Sequence, residues 1–257
     1  MKKENEHLAT VLVNTAWFKD WVQGISNVIT EGTLQITPAG LTVTVVGLHH
    51  VCLVHTHIAA ADCEAFACVQ AASIVLNWAD VVKYSKQIKP SKKDPCNLMI
   101  EIIVGTQQIM FGGFTLYTID STNIDDLDEI VLKGMHKLQH SASVKVALDT
   151  WKMNIHMLAA YSEVGEFWYN DMFFCSCLTS KGGYTNCIGK STSITTPRSM
   201  YAVGLLQKIA TNIKQPYMLE VFIGTAVPIR LRLQYAENSY LEVWIAPRVE
   251  EEEDDDE

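Results

Sequence analysis

The sequence predicts an α+β chain of two similar domains, each built from antiparallel sheet and two helices. Three observations carry this expectation. One segment occurs twice: residues 99–106 read M-I-E-I-I-V-G-T and residues 218–225 read M-L-E-V-F-I-G-T, each position identical or exchanging one apolar residue for another. Helix-like and strand-like hydrophobic spacings follow in the same order in both halves. The 257 residues, 48% of them apolar, are enough for two cores, since a single domain commonly takes about 100–150 residues. A repeat of this kind marks a duplicated domain, and duplicated domains often build symmetric objects.

The first half opens on a helix over 14–29. Phe18, Val22, Ile25 and Ile29 form its inner stripe, with Lys19, Asp20, Gln23 and Ser26 facing away. Strands follow over 33–58. Leu34 to Ile36 alternates, Thr37-Pro38-Ala39-Gly40 turns, Leu41 to Val45 alternates again, and His49 to Ile58 makes a third strand. A fourth runs over 65–71. A second helix over 76–88 turns Trp78, Val81, Val82, Ser85 and Ile88 inward, and Asp80, Lys83 and either Lys86 or Gln87 away; Pro90 and Pro95 end it. Strands are expected near 97–104, 107–112 and 114–119, with the Gly-Thr of each repeat as a hairpin turn. Residues 120–141, acidic and polar before apolar beads among charges, read as an inter-domain connector.

The programme then restarts. A strand at Val144–Leu148 leads into a helix over 150–162, with Trp151, Ile155, Leu158 and Tyr161 inward and Lys152, His156 and Ala159 on another side. Strands return over 167–178 and 184–190, joined by Thr179-Ser180-Lys181-Gly182, an echo of 37–40. A fourth helix over 199–213 turns Val203, Leu206, Ile209 and Ile213 inward and Gly204, Lys208 and Thr211 outward. Strands over 217–223, 227–235 and 240–246 finish the chain. The domains are therefore expected at 8–119 and 142–249, with an acidic disordered tail at 250–257.

Composition narrows the classes of function. No run of about 18 apolar residues exists, so no membrane span is expected, and Met1 to His7 lacks the apolar stretch of a signal peptide. The seven cysteines are scattered and never spaced C-x-x-C, as expected of buried thiols in a reducing compartment. The net charge of −9 argues against a wholly basic surface. Eight acidic residues at 250–257 supply most of it, and removing them leaves a body near −1 on which a local basic face fits.

The last stretch carries a specific match. Leu241-Glu242-Val243-Trp244-Ile245-Ala246-Pro247-Arg248-Val249 and the acidic run resemble the C-terminus of the proliferating cell nuclear antigen (PCNA) family of DNA sliding clamps. Val227-Pro228-Ile229 is similar to the family's proline-bearing strand, and His50-Val51-Cys52-Leu53-Val54 to its histidine-valine strand. Phe66-Ala67-Cys68, Asn77 and the helix with Lys83 and Lys86 fit its next segment. The resemblance spans residues 8–250 and is weakest over 120–200.

The resemblance implies a DNA clamp fold in which three chains close head-to-tail into a ring, pairing a strand edge near 109–117 with one near 184–192 of the neighbour. Four helices from each of three chains give about 12, which at ~8–10 Å between axes trace a circle roughly 31–38 Å across. Less a helix diameter of ~10–12 Å, that leaves a hole of roughly 20–27 Å, wide enough for duplex DNA. A clamp needs no catalytic residue and no cofactor. Its inner helices need only modest, sequence-independent positive charge. Lys19, Lys83, Lys86, Lys152, His156 and Lys208, each off its helix's apolar stripe, are the candidates, diluted by Asp20 and Asp80.

The family's second surface is a hydrophobic pit under the connector that takes short peptides from polymerases, nucleases and ligases. By position it comprises Val46, His50, Val51, Pro228, Trp244, Ala246 and Pro247, with Leu127 and Ile130 from the connector; Trp244 serves either as a peptide anchor or as core. The implied partners are duplex DNA, a polymerase, a clamp loader and other peptide-bearing proteins, at a nuclear location or a viral replication site. Three other readings stand beside it: a subunit of a heterotrimeric checkpoint ring, a monomeric viral processivity subunit, and a Cys/His-dependent enzyme for which no local motif speaks. His49, His55 and His57 share a strand face, which falls short of a convergent zinc site, and no P-loop or dinucleotide fingerprint occurs.

Overall fold

The computed structural model describes residues 7–47, 51–89, 98–103, 108–112, 114–117, 127–180, 182–190, 196–215 and 217–248. His49, His50, Pro90, Pro95, the Gly105-Thr106 turn, the first part of the connector and the acidic tail lie outside them. The chain divides into two compact units: Met1–Lys137 with Ile209–Tyr217 and Arg232–Val243, and Leu138–Lys208 with Met218–Leu231 and Trp244–Glu257.

In the first unit, β1 (His7–Val13) leads into α1 (Thr15–Ser26), which starts where the Asn14 side chain accepts the N–H groups of Ala16 and Trp17 at 2.9 and 3.3 Å. Three strands follow: β2 (Glu31–Thr37), β3 (Gly40–Val46) and β4 (Cys52–Ala59). The turn into β3 needs glycine. Gly40 has φ +146°, and a Cβ there would stand 2.0 Å from the Ile58 carbonyl oxygen. After β5 (Ala65–Cys68) and β6 (Ala72–Asn77), Asn77 caps α2 (Trp78–Ser85) by accepting Asp80 N–H at 3.2 Å. Three strands follow: β7 (Leu98–Ile103), β8 (Gln108–Phe111) and β9 (Phe114–Tyr117). One antiparallel sheet runs β5-β1-β7-β8-β9. A second contains the order β4-β3-β2-β6.

In the second unit, β10 (Ala142–Ala147) leads into α4 (Leu148–Ala159), and β11 (Val164–Asn170), β12 (Met172–Thr179), β13 (Gly182–Lys190) and β14 (Arg198–Ala202) form an antiparallel sheet of order β13-β12-β11-β14. α5 (Val203–Ala210) follows, and β15 (Met218–Ile223) pairs with β10. β16 (Ile229–Gln234) and β17 (Tyr240–Ile245), whose residues are divided between the two units, close the chain. Gly182 at φ +133° repeats the glycine of the 37–40 turn.

The repeated octapeptide occupies equivalent strands. β7 pairs antiparallel with β1, placing Met99 opposite Leu12 and Glu101 opposite Thr10; β15 pairs antiparallel with β10, placing Met218 opposite Ala147 and Glu220 opposite Lys145. Both methionines are exposed, both glutamates half-buried, and the residues between them buried. The same alternation thus faces the same two environments in each half.

Four expectations change. The strand expected at 65–71 ends at Cys68, and a further strand, Ala72–Asn77, pairs with β2 before α2 begins. The helix expected from 199 starts at Val203, because Arg198–Ala202 pairs with β11. Tyr161 lies beyond the end of α4 and is 44% exposed, so it leaves the inner stripe. The connector's apolar beads form a helix, α3 (Leu127–Met135), which makes five α-helices among the described residues. None of them is long and apolar enough to cross a membrane.

Candidate nucleic-acid and partner interfaces

The candidate lysines fall at matching helix positions. Lys19 and Lys152 are each the fifth residue of a twelve-residue helix, α1 and α4. Lys83 and Lys208 are each the sixth residue of an eight-residue helix, α2 and α5. The apolar stripes share this register, since Phe18, Val22 and Ile25 match Trp151, Ile155 and Leu158, all buried. A cation set by duplication at one point of each helix suits a surface that meets a repeating polyanion.

Their surroundings differ. Lys83, Lys86, His156 and Lys208 are exposed. Lys152 sits 3.4 Å from Asp149 one turn earlier. The Lys19 ammonium donates to the main-chain carbonyl of Ile88 and so ties α1 to the end of α2. Burial, with Lys214 nearby, holds the Lys19 pKa below the usual lysine value. Lys19, Lys86 and Lys214 line one cavity of about 480 Å³ with Gln23 and Gln215. Lys214 was missed by sequence reading because it follows α5 and belongs to no helical stripe.

Asp20 corrects its expected position. It is 5% exposed, and its carboxylate accepts the main-chain N–H groups of Lys214 and Gln215 at 3.1 and 3.0 Å. It is a cap on a segment distant in the sequence rather than a surface charge diluting the lysines.

The expected pit residues are placed as follows. In the first unit, Val46 ends β3 half-buried, Val51 is exposed, and Ile130 on α3 is 64% exposed. Leu127 begins α3. After α3, His136 Nε2 lies 3.5 Å from the Glu242 carboxylate, which Arg232 also approaches at 3.3 Å. In the second unit, Pro228, Ala246 and Pro247 are half-buried, and the Pro228 carbonyl accepts from His140 Nε2 at 2.9 Å. Trp244 is 1% exposed, under the Arg230 guanidinium at 5.6 Å. Its ring belongs to the core, so it serves as packing rather than as an open anchor for a peptide aromatic. Pro247 borders a second cavity of about 500 Å³ with Glu166, Arg198, Met200 and Arg248, where Arg198 makes a two-pronged pair with Glu166.

The histidine strand is committed elsewhere. His55 and His57 hydrogen-bond through Nδ1 to Thr44 and Thr42, each at 2.9 Å, and His55 Nε2 meets the Tyr240 hydroxyl at 3.1 Å. Cys52 and Cys175 are buried, which pushes each thiol up to about 12 and away from the thiolate that nucleophilic chemistry needs.

The repeated strand, the matched helices and the two edge-bearing sheets define a doubled α+β clamp fold. Residues 8–99 match the family model for the proliferating cell nuclear antigen N-terminal domain. Solved PCNA structures match along nearly the whole chain. The PCNA of Entamoeba histolytica superposes with a TM-score of 0.80 at 14% identity, covering 95% of this chain and 100% of that one. A. fulgidus PCNA, in a structure with the C-terminal region of FEN-1 bound, gives 0.76 at 18% identity over 95% and 100%. The PCNA2–PCNA3 complex of Sulfolobus tokodaii gives 0.78 at 17% over 93% and 99%. No curated protein matches the chain in sequence. The chain therefore has the PCNA clamp fold over nearly its whole length, and its first part matches the family model.

Proposed function

We propose that the chain is a DNA sliding clamp: three copies close a ring around duplex DNA, confer processivity on a polymerase and dock replication and repair proteins. The observation that carries this reading is the matched placement of Lys19 with Lys152 and of Lys83 with Lys208 on duplicated helices. Exposed Lys83, Lys86, His156 and Lys208 meet phosphates, while Lys19 acts partly as a strut between helices. β9 and β13 support closure, since each has a strand neighbour on one side only among the described residues. One such edge in each unit suits head-to-tail pairing of copies.

The functional halves are residues 8–119 and 142–249, joined by 120–141 and followed by the acidic tail 250–257. Short partner peptides dock near Val46, His50, Val51, Leu127, Ile130, Pro228, Ala246 and Pro247, with Trp244 as the packed wall behind them. The A. fulgidus relative solved with a FEN-1 segment supports this class of partner. The working place is the nucleus or a viral replication site. A second reading, a subunit of a heteromeric ring, is favoured by the likeness to the PCNA2–PCNA3 complex.

Topology tests the proposal. A clamp loaded on closed circular DNA stays bound through a high-salt wash and leaves when the circle is cut. Equal loss from circular and linear DNA would reject encirclement.

A further inference from the structure

The second unit carries a buried polar hub that the clamp reading does not by itself explain. Asn154, the seventh residue of α4, is fully buried. Its side-chain oxygen accepts from the Tyr184 hydroxyl and from Asn186 Nδ2, both at 2.8 Å, and Cys175 Sγ lies 3.8 Å away. Its Nδ2 donates back to the Thr150 carbonyl at 2.7 Å. Both strong donors belong to β13, the strand at the edge of its sheet.

An asparagine inside a helix is a poor choice for stability. It costs helix propensity, and a buried amide is expensive unless every polar atom is matched. Here both ends are matched, and such networks fix one arrangement more than they add stability. What they fix is β13. Tyr184, Asn186 and Ile188 alternate along its inner face, and two of the three are held by one oxygen on α4. Beyond β12, β13 pairs with no other strand among the described residues, and its pairing with β12 carries a register shift at Phe173/Phe174. Burial also raises the Tyr184 pKa, which keeps the phenol protonated as a donor.

We propose that Asn154 is a positioning residue for self-assembly: through Tyr184 and Asn186 it holds β13 as a fixed edge that pairs with β9 of a second copy of this chain. This rests on the ring reading above. The strand is pinned from behind by a helix, so its outward N–H and C=O groups are set before the neighbour arrives. Less ordering is then lost on association.

The test compares the wild-type chain with Asn154→Ala. Mass is followed by light scattering over a dilution series, and amide hydrogen exchange is read strand by strand. We expect exchange across 183–189 to rise about tenfold while β11 and the core of α4 stay protected. The concentration at which the assembly dissociates should rise about tenfold or more. Tyr184→Phe/Asn186→Ala removes the same bonds from the strand side, leaves the helix intact, and serves if Asn154→Ala does not fold. Combining both sets should add little further loss, because they break one network. Unchanged β13 exchange, or faster exchange with unchanged assembly, overturns the proposal. A wild-type chain that stays monomeric at all concentrations overturns the ring reading itself, and the two failures are told apart by the wild-type mass alone.

Discussion

The seventh residue of α1 is Trp21, and the seventh of α4 is Asn154. Both are buried and both reach toward a strand, but by opposite chemistry. Trp21 fills the first unit's core against Phe18 and Trp78 at ring-centroid distances of 5.6 and 5.7 Å, and its indole N–H donates to Thr56 on β4 at 2.5 Å. Asn154 fills less space and spends its polar atoms on β13. Duplication supplied the same seat twice. One copy became a packing centre and the other a hub for an edge strand. The edge of the first unit is held differently again, with Tyr84 on α2 against Phe114 on β9 at 5.9 Å.

The largest expected effect falls on the packing seat. Trp21→Ala should destabilise the first unit by about 3–5 kcal/mol, read by denaturant unfolding, because it empties a large buried volume. A loss no greater than that of Asn154→Ala would erase the contrast between the two seats. Next comes Asp20, whose counterpart at the sixth position of α4 is the exposed Met153. Asp20→Ala should cost about 1–3 kcal/mol by leaving the Lys214 and Gln215 N–H groups without their acceptor. Met153→Ala should be close to neutral in the same assay.

DNA binding sharpens the comparison on the helix surfaces. Lys83→Ala and Lys208→Ala should each lower the slope of log affinity against log salt by about 1, since each removes one phosphate contact. Lys19→Ala should change that slope less, because its ammonium is partly engaged by the Ile88 carbonyl. Fluorescence anisotropy across a salt series decides; a larger slope change for Lys19 than for Lys83 would reverse the assignment of grip and strut.

The smallest effect is on pH. Burial lowers the pKa of His57 in one unit and His140 in the other, against opposing help from Asp62 and from the Pro228 carbonyl respectively. Both therefore belong to the fold as neutral rings. Their contribution is fully present above the ordinary histidine value of 6.5 and is lost as pH falls through each lowered pKa. His140→Gln should flatten that acid limb of the stability profile in thermal melts, and an unaltered limb would exclude His140 as its source.

Much of this was legible in the sequence because it is local. The octapeptide repeat fixed two equivalent strands, the three-and-four spacing of Phe18, Val22 and Ile25 fixed α1, and the Thr-to-Gly turn at 37–40 appeared where expected. What local pattern could not show was distant pairing. Arg198 to Ala202 carries a pattern compatible with helix until β11 claims it as a strand. Asp20 looks like a solvated charge until two N–H groups 194 and 195 residues away meet it. Trp244 fits both an anchor and a core, and only burial decides between them. In α3, Leu127, Ile130, Val131 and Met135 stand at helical spacing, but the acidic lead-in made the whole segment read as a connector.

The doubled chain is read as one third of a ring, and its mass in solution tests that most directly. Light scattering on the purified wild-type chain should give three times 28.7 kDa at micromolar concentration. A particle of 28.7 kDa at every concentration would contradict closure by this chain alone.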